Sequence, residues 1–189
     1  MNEKIDMASR GKPSVVSEVF DWVESAITAL LFMVIVFTFV GMNITVNGAS
    51  MSPTLKDGQR LVCSRLFMEP KYKDIVVVTN PRLEHNPLIK RVIAVGGQTI
   101  DFDAEANRVT IDGKPIEEPY IREEMKAYSM SNRDMYPLTV PEGHVFVMGD
   151  NRNDSWDSRI PAVGPVDERY IFGRVVYRFY PYDKMGVPK

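Results

Sequence analysis

The sequence predicts a mainly β protein in which an N-terminal transmembrane helix precedes an antiparallel β-sheet domain. The first observation is a gap of 31 residues without a charged side chain, between Glu24 and Lys56. The second is a series of short runs after this gap, rich in Val and Ile and punctuated by Gly, Pro, Asn or Asp. None of these runs is followed by a helical pattern of about 10–15 residues, which disfavours a parallel sheet built from βαβ units.

Length and composition limit the classes of function. The 189 residues correspond to one domain with a short appendage, at roughly 150 residues per domain. With 23 Lys and Arg against 25 Asp and Glu, the net charge is −2, which argues against a basic nucleic-acid-binding protein. One cysteine, Cys63, excludes an internal disulfide, and two histidines, His85 and His144, leave little material for a metal site. We therefore expect no metal, no other cofactor and no nucleic-acid partner.

The apolar segment over 25–46 predicts the membrane helix. Its 22 residues suffice for a hydrocarbon core of about 30 Å at about 1.5 Å per residue, and Trp22 lies where an interfacial aromatic residue is expected. The segment is apolar on every face, which argues against a surface helix. A buried core helix and a cleavable signal peptide are the alternatives, although the apolar core of a signal peptide is shorter, about 7–15 residues. The predicted division is a mobile tail over 1–20, an anchor helix over 21–44 and a β domain over 45–189.

The β domain contains seven runs that predict strands, over 60–66, 74–79, 88–95, 99–103, 108–112, 144–148 and 170–180. The runs 99–103 and 108–112 are separated by four residues and predict a hairpin. Asp112 and Gly113 form a dipeptide that is typical of a tight turn. Residues 117–137 are acidic and then mixed, and we expect a long excursion or flap there.

The first of three polar motifs is the segment 48–55, Gly-Ala-Ser-Met-Ser-Pro-Thr-Leu, a few residues beyond the apolar segment. A nucleophilic serine needs exposure, a tight turn and nearby backbone N–H groups that receive an oxyanion. Small residues before Ser50 allow a substrate backbone to approach, and Pro53 fixes the chain after it. The alternative is an ordinary linker between the anchor and the domain.

The second motif is the run 88–97, Leu-Ile-Lys-Arg-Val-Ile-Ala-Val-Gly-Gly. On a strand, Lys90 shares a face with Leu88 and Val92, while Arg91 lies on the other face. Burial on an apolar face would lower the pKa of the Lys90 amine and make it a candidate base. The alternative is a lysine at a strand end whose amine reaches solvent.

The third motif is the segment 148–159, Met-Gly-Asp-Asn-Arg-Asn-Asp-Ser-Trp-Asp-Ser-Arg. Three aspartates stand close to two arginines in it, so we expect internal ion pairs. The spacing of the aspartates suggests a calcium loop only faintly, because the glutamate that such a loop requires is absent. The alternative is a solvated turn.

Together, and in this order, the three motifs resemble those of the type I signal peptidases, the membrane-bound serine proteases that remove signal peptides from exported proteins. The serine motif matches at 50–55, the lysine motif at 90–97 and the C-terminal motif at 149–159. The resemblance extends over about residues 20–180. It implies a β-rich protease domain with Ser50 as the nucleophile and Lys90 as the general base.

The resemblance also implies supporting roles within the third motif and beside it. Ser155 would hydrogen-bond the amine of the catalytic lysine and hold it in place. Asp150 would pair with Arg91 on the far face of the strand. Asp157 and Arg159 would brace the loop that carries the serine.

The substrate site is implied in the same way. The family lines shallow pockets for small side chains, and the matching positions here are Val46, Met51, Leu55 and Ile89. Cleavage after an Ala-x-Ala pattern follows from pockets of that shape. The backbone N–H of Ser50 would contribute to the oxyanion hole. Family members often carry a serine as a second oxyanion donor where this chain has Gly48, so another donor would have to substitute.

We therefore expect a serine endopeptidase of the bacterial single-anchor form. It would lie in the cell membrane as a single-pass protein, with a cytoplasmic N-terminus and with residues 45–189 outside the cytoplasm. Its partners would be the signal peptides of exported preproteins and the lipid bilayer. The alternatives are a Ser/Lys protease dedicated to one substrate and a non-catalytic membrane-tethered binding domain.

Overall fold

The computed structural model describes residues 15–40, 42–66, 69–79, 87–103, 107–126 and 133–189. The chain divides into two compact units, Met1–Thr38 and Phe39–Lys189, which are described separately below. Most of the predicted mobile tail, 1–14, lies outside the described residues, and the rest of it is helical.

Helix α1 comprises Val15–Val40. It begins six residues before the predicted anchor of 21–44 and ends four residues before the predicted end. The apolar segment is divided because its last part, Met42–Thr45, pairs as a strand with the chain after the serine motif instead of extending the helix. No helix in the described part of the chain is both long enough and apolar enough to cross a membrane. The prediction of a transmembrane helix is not confirmed.

Eleven strands are described in the rest of the chain. They are β1 (Met42–Thr45), β2 (Arg60–Ser64), β3 (Ile75–Val78), β4 (Leu88–Val95), β5 (Thr99–Asp103), β6 (Arg108–Ile111), β7 (Lys114–Pro115), β8 (Leu138–Thr139), β9 (His144–Met148), β10 (Val166–Asp167) and β11 (Ile171–Tyr180). All seven predicted strands are confirmed. The prediction missed β1, which it assigned to the anchor helix, and the two-residue strands β7, β8 and β10.

The strands form two sheets whose described pairings are all antiparallel, as predicted. The larger sheet has seven strands in the order β1-β2-β11-β3-β4-β9-β10, and the smaller has four in the order β7-β6-β5-β8. The strand with the lysine motif, β4, lies between β3 and β9 inside the larger sheet. Its backbone is therefore held on both edges, which gives its side chains fixed positions.

The predicted hairpin is confirmed in the smaller sheet, where β5 pairs with β6 in the register Ile100↔Ile111. The predicted turn after β6 is confirmed as well. Asp112 and Gly113 have φ angles of +51° and +73°, and β7 returns along β6 immediately afterwards. Two successive positive φ angles characterise a type I′ turn, which Asp-Gly favours because glycine adopts positive φ without strain.

The larger sheet is covered on both faces, and the alternation along β3 shows how. Ile75 and Val77 belong to one apolar cluster, while Val76 and Val78 belong to another. The first cluster also includes two residues of the serine motif, Met51 and Leu55, together with Val46, Leu61, Cys63, Ile89 and Val175. The lone cysteine is thus a core residue, as predicted, and burial raises the pKa of its thiol to about 12.

The predicted excursion over 117–137 is packed on the β domain wherever the structure describes it. Tyr120 and Met125 are buried, and Met125 belongs to a third apolar cluster that joins the two sheets. A 3₁₀ turn at Arg133–Met135 then leads into β8. The middle of the excursion, 127–132, lies outside the described residues. The described part is a docked segment, which corrects the expectation of a flap.

Candidate active site

The serine motif forms a series of tight turns between β1 and β2. Leu55 N donates to Met51 O at 2.8 Å, and Ser52 N donates to Ala49 O at 3.0 Å. Gly48 has a φ angle of +88°, which glycine adopts without strain, and its N–H donates to the Asp57 carboxylate at 2.7 Å. These bonds hold the backbone around Ser50 in one conformation.

The two residues predicted as a catalytic pair lie within hydrogen-bonding distance. Lys90 Nζ donates to Ser50 Oγ at 2.7 Å and to Ile89 O at 3.0 Å. Lys90 is 3% exposed, and this burial lowers the pKa of its amine to about 8. The Asp157 carboxylate raises that pKa and the Arg159 guanidinium lowers it, so the two charges oppose each other.

This arrangement allows general-base chemistry. A lysine with an ordinary pKa of 10.5 is neutral in only about one molecule in 3,000 at pH 7, whereas a pKa of about 8 raises that fraction to roughly one in ten. The neutral amine accepts a proton, and the hydroxyl of Ser50 is the group within its reach. No group of three or more His, Cys, Asp or Glu side chains among the described residues could hold a metal ion.

The predicted pair between Arg91 and Asp150 is confirmed. Arg91 Nε and Nη2 donate to the two carboxylate oxygens at 2.8 and 2.7 Å, and both side chains are almost fully buried. Arg91 Nη1 also donates to Lys73 O at 3.0 Å, and the ring of Tyr120 lies 4.0 Å from Arg91 Cζ. The pair joins the lysine strand to the start of the third motif.

The predicted pair between Asp157 and Arg159 is also confirmed, with Arg159 Nε and Nη2 each 2.8 Å from a carboxylate oxygen. Asp157 Oδ2 also accepts from Gly149 N at 2.9 Å. Burial opposes the ionisation of Asp157, but the guanidinium and this N–H hold the pKa of the carboxyl below its usual range. An ionised, paired aspartate therefore closes the loop over 149–159.

The hydrogen bond predicted from Ser155 to Lys90 is not formed. The Ser155 hydroxyl is buried and lies beside the Asp157 carboxylate, where it helps to hold the pKa of that carboxyl below its usual range. The Lys90 amine is directed instead to Ile89 O and Ser50 Oγ. Ser155 packs on Gly149, where an added Cβ would overlap the Ser155 side chain.

A cleft of about 350 Å³ opens beside the serine and the lysine. It is lined by Ile44, Thr45, Val46, Asn47, Ser50, Met51, Pro87, Leu88, Ile89 and Lys90. The cleft thus brings together three of the four predicted pocket residues. The fourth, Leu55, is fully buried in the core cluster and does not line the cleft. Ile44 and Thr45 were missed because the prediction assigned β1 to the helix.

The sequence reasoning also missed three residues that hold the site. Asn151 N donates to Ser50 O at 3.0 Å, and its side chain donates to Ala49 O at 3.3 Å. Arg152 pairs with Glu118, 34 residues earlier in the chain. Asn151 lies inside the third motif, so the motif could have identified it. Glu118 carries no local signal, because the contact depends on how the excursion packs.

Comparison with known proteins places this geometry in a family. The family described as signal peptidase, peptidase S26, matches residues 19–180. Signal peptidase I of Bacillus licheniformis is 34% identical over 176 residues, 89% of this chain and 92% of that protein. Signal peptidase I of Bacillus amyloliquefaciens is 32% identical, over 96% of this chain and 99% of that protein. Signal peptidase IB of Staphylococcus aureus (strain COL) is 31% identical, over 88% and 92%.

A crystal structure of a signal peptidase I from Enterococcus faecalis V583 has a TM-score of 0.46 to this chain and is 29% identical to it in sequence. The match covers 56% of this chain and 96% of the chain in that crystal structure. The resemblance predicted from the three motifs is confirmed by the family match and by the curated relatives. The chain belongs to the type I signal peptidases of peptidase family S26, and is therefore a serine endopeptidase.

Proposed function

We propose that this protein removes N-terminal signal peptides from exported preproteins, with Ser50 as the nucleophile and Lys90 as the general base. The observation that carries the proposal is the 2.7 Å contact between Lys90 Nζ and Ser50 Oγ, made by an amine that is almost fully buried. Family membership supports the class of substrate. The buried amine supports the assignment of roles within the pair, because only the neutral form accepts a proton.

The reaction follows from these roles. The neutral Lys90 amine takes the proton of Ser50 Oγ as the oxygen attacks the carbonyl carbon of the scissile peptide bond. The backbone N–H of Ser50 is proposed as one donor to the resulting oxyanion. The protonated amine then gives its proton to the leaving nitrogen, and an acyl-enzyme forms on Ser50. Water, deprotonated by the same lysine, hydrolyses this ester and restores the serine.

The cleft supports a preference for small side chains next to the cut. Its walls beside the serine carry Val46, Met51 and Ile89, each less than a tenth exposed, so a large side chain would have to displace packed core residues. Cleavage after an Ala-x-Ala pattern is therefore part of the proposal. Thr45 and Asn47 lie at the same cleft and are available to the backbone or side chains of the substrate.

Helix α1 supports attachment to a lipid surface. Each of its large apolar side chains between Val15 and Val34 is exposed, and Trp22 is among them. An apolar surface that runs round a helix is stable only against another apolar phase. We propose that α1 anchors the chain in the bilayer. A cytoplasmic N-terminus and an extracytoplasmic β domain stay predictions, which protease protection in sealed vesicles would test.

The proposed function is tested by cleavage of a purified preprotein in liposomes, with the cut site read by mass spectrometry. Wild type is compared with Ser50→Ala and Lys90→Ala. Ser52→Ala, two residues along the same turn, and Lys56→Ala, an exposed lysine, are the matched controls. We expect a cut after a small-x-small sequence, lost in the first two variants and kept in both controls. Normal cleavage by Ser50→Ala would refute the assignment of the nucleophile. Failure of folded wild type to cleave would favour a dedicated substrate or a binding role.

A further inference from the structure

Arg152 is a buried arginine that joins the excursion to the active-site loop. It is 1% exposed, and its guanidinium donates two hydrogen bonds to the Glu118 carboxylate, one of them at 2.8 Å. Its Nε donates to Gly149 O at 3.0 Å. A buried guanidinium needs a counter-charge, and Glu118 supplies one from a segment outside the three motifs. The position of Arg152, and hence of the Gly149 carbonyl, depends on this glutamate.

Gly149 is packed directly against the nucleophile. A Cβ added to it would lie 2.5 Å from Ser50 O and would overlap the Ser155 side chain. Its N–H is held by Asp157 at 2.9 Å and its carbonyl by Arg152 at 3.0 Å. A shift of Gly149 therefore displaces the backbone of Ser50. A displacement of about 1 Å in a reacting group costs on the order of a hundredfold in rate.

Residues 117–126, which include Glu118, make further contacts with the active-site loop. We call them the clasp segment. Arg122 N donates to Asp150 O at 3.0 Å, and Lys126 N donates to the Asn153 side chain at 2.9 Å. The ring of Tyr120, also in the clasp segment, covers the guanidinium of Arg91. The clasp segment is thus bound along the loop that follows β9, and Glu118 is connected to Gly149 through Arg152.

We propose that Glu118 is a positioning residue for the reaction at Ser50. It acts through Arg152, which fixes the Gly149 carbonyl and with it the backbone of the nucleophile. The inference rests on the proposed Ser50–Lys90 pair. It extends the site to a carboxylate that lies 34 residues before Arg152 in the chain. Glu118 does not touch the reacting atoms, so its loss lowers turnover without altering substrate binding.

Glu118 is also accessible to small solutes from its outer side. A cleft of about 480 Å³ reaches it and is lined by Asn107, Arg108, Ile116, Glu117, Glu118, Pro119, Ile121 and Glu124. A small carboxylate that enters this cleft can occupy the space left by a truncated Glu118 side chain and pair with Arg152. Formate is the probe, because it carries the carboxylate alone.

The test compares Glu118→Gln, which keeps the shape and removes the charge, with Glu117→Gln, the exposed neighbour, in the full chain. We expect kcat on a preprotein substrate to fall by about tenfold or more in Glu118→Gln, with KM within about twofold of wild type. The pH at which the acidic limb of the rate profile is half-maximal should not move. Glu117→Gln should match wild type. Each kcat is calculated per active site, and the concentration of active sites is titrated with a serine-directed acylating reagent. Misfolded protein therefore does not lower the measured kcat.

Glu118→Ala provides the second measurement, because formate should restore part of its turnover and leave Glu118→Gln and wild type unaffected. The proposal is overturned by wild-type kcat per titrated site in Glu118→Gln, by an equal loss in Glu117→Gln, or by a folded Glu118→Ala that formate does not rescue. If Glu118→Ala does not fold, the result for Glu118→Gln decides. Inactive wild type would count against the proposed function, whereas active wild type with unchanged Glu118→Gln would count against this inference alone.

Discussion

The burial of Lys90 makes the pH dependence of the reaction a direct test of the proposed mechanism. The amine must lose its proton before it can act as a base, and its pKa is lowered to about 8. The neutral fraction then rises from about one in ten at pH 7 to about nine in ten at pH 9. We expect kcat/KM to rise about tenfold over this range, with the half-maximal point of the acidic limb near pH 8.

The assay is the initial rate on an internally quenched peptide that contains an Ala-x-Ala site, measured between pH 5 and pH 10. Return of each sample to a common pH separates titration from inactivation. Lys90→Arg is the perturbation, since a guanidinium keeps its proton throughout, and it should be inactive at every pH. Lys56→Arg changes an exposed lysine in the same way and should keep the wild-type profile. An active Lys90→Arg enzyme with an unchanged limb would refute the reasoning.

The same burial has a signature in stability. The folded pKa of Lys90 lies about 2.5 units below the unfolded value of 10.5, so unfolding takes up a proton between pH 8 and 10.5. Stability therefore rises with pH in this window, and the full effect is about 3 kcal/mol at ~1.36 kcal/mol per unit. Between pH 7 and 9 we expect about 1 kcal/mol of it. Lys90→Met removes the titrating group, so the free energy of unfolding of wild type relative to this variant should rise by that amount. A constant difference would refute the lowered pKa.

Three further predictions concern Gly149, Asp150 and the dependence of the reaction on metal ions. Gly149→Ala should abolish turnover in the peptide assay, because the added Cβ would lie 2.5 Å from Ser50 O. Retained turnover would show that the loop can move away from Ser50 without loss of activity. Asp150→Ala should lower the free energy of unfolding by about 3–5 kcal/mol, because a buried guanidinium loses its counter-charge. Arg169→Ala, the matched control, breaks a pair whose arginine is exposed and keeps the bond from Arg169 N to the Asp167 side chain, so it should leave the denaturation midpoint nearly unchanged. EDTA should not change the cleavage rate, and a loss restored by added metal would contradict this.

The parts of the fold that were predicted from sequence are those with a local signal. The Val- and Ile-rich runs identified every long strand after the serine motif, and Asp112-Gly113 identified the turn after β6. The prediction for Met42–Thr45 was wrong because this segment is uncharged and follows an apolar helix without a break in hydropathy. Its strand pairing with β2 comes from chain beyond the serine motif, and hydropathy carries no information about that contact.

The candidate site divides in the same way. The Ser50–Lys90 contact and the Arg91–Asp150 pair were anticipated from the resemblance of their motifs to those of the family. The pairing of Glu118 with Arg152 was not, because it depends on how the excursion packs on the loop after β9. The predicted bond from Ser155 to the Lys90 amine is not formed, and Ser155 lies instead against Gly149 and beside the Asp157 carboxylate.

Burial is the largest influence on the pKa of Lys90, while the Asp157 and Asp150 carboxylates raise that pKa and the Arg159 guanidinium lowers it. Arg91 lies next to Lys90 in sequence, but it donates two hydrogen bonds to the Asp150 carboxylate, which balances its charge. Arg159 and Asp157 form a second closed pair, whose members shift the pKa of Lys90 in opposite directions. With the charges paired, desolvation is the largest remaining influence, and it depends on packing around the amine. A bound substrate that excludes more water from the cleft would lower the pKa further and favour the neutral base at the moment it is needed.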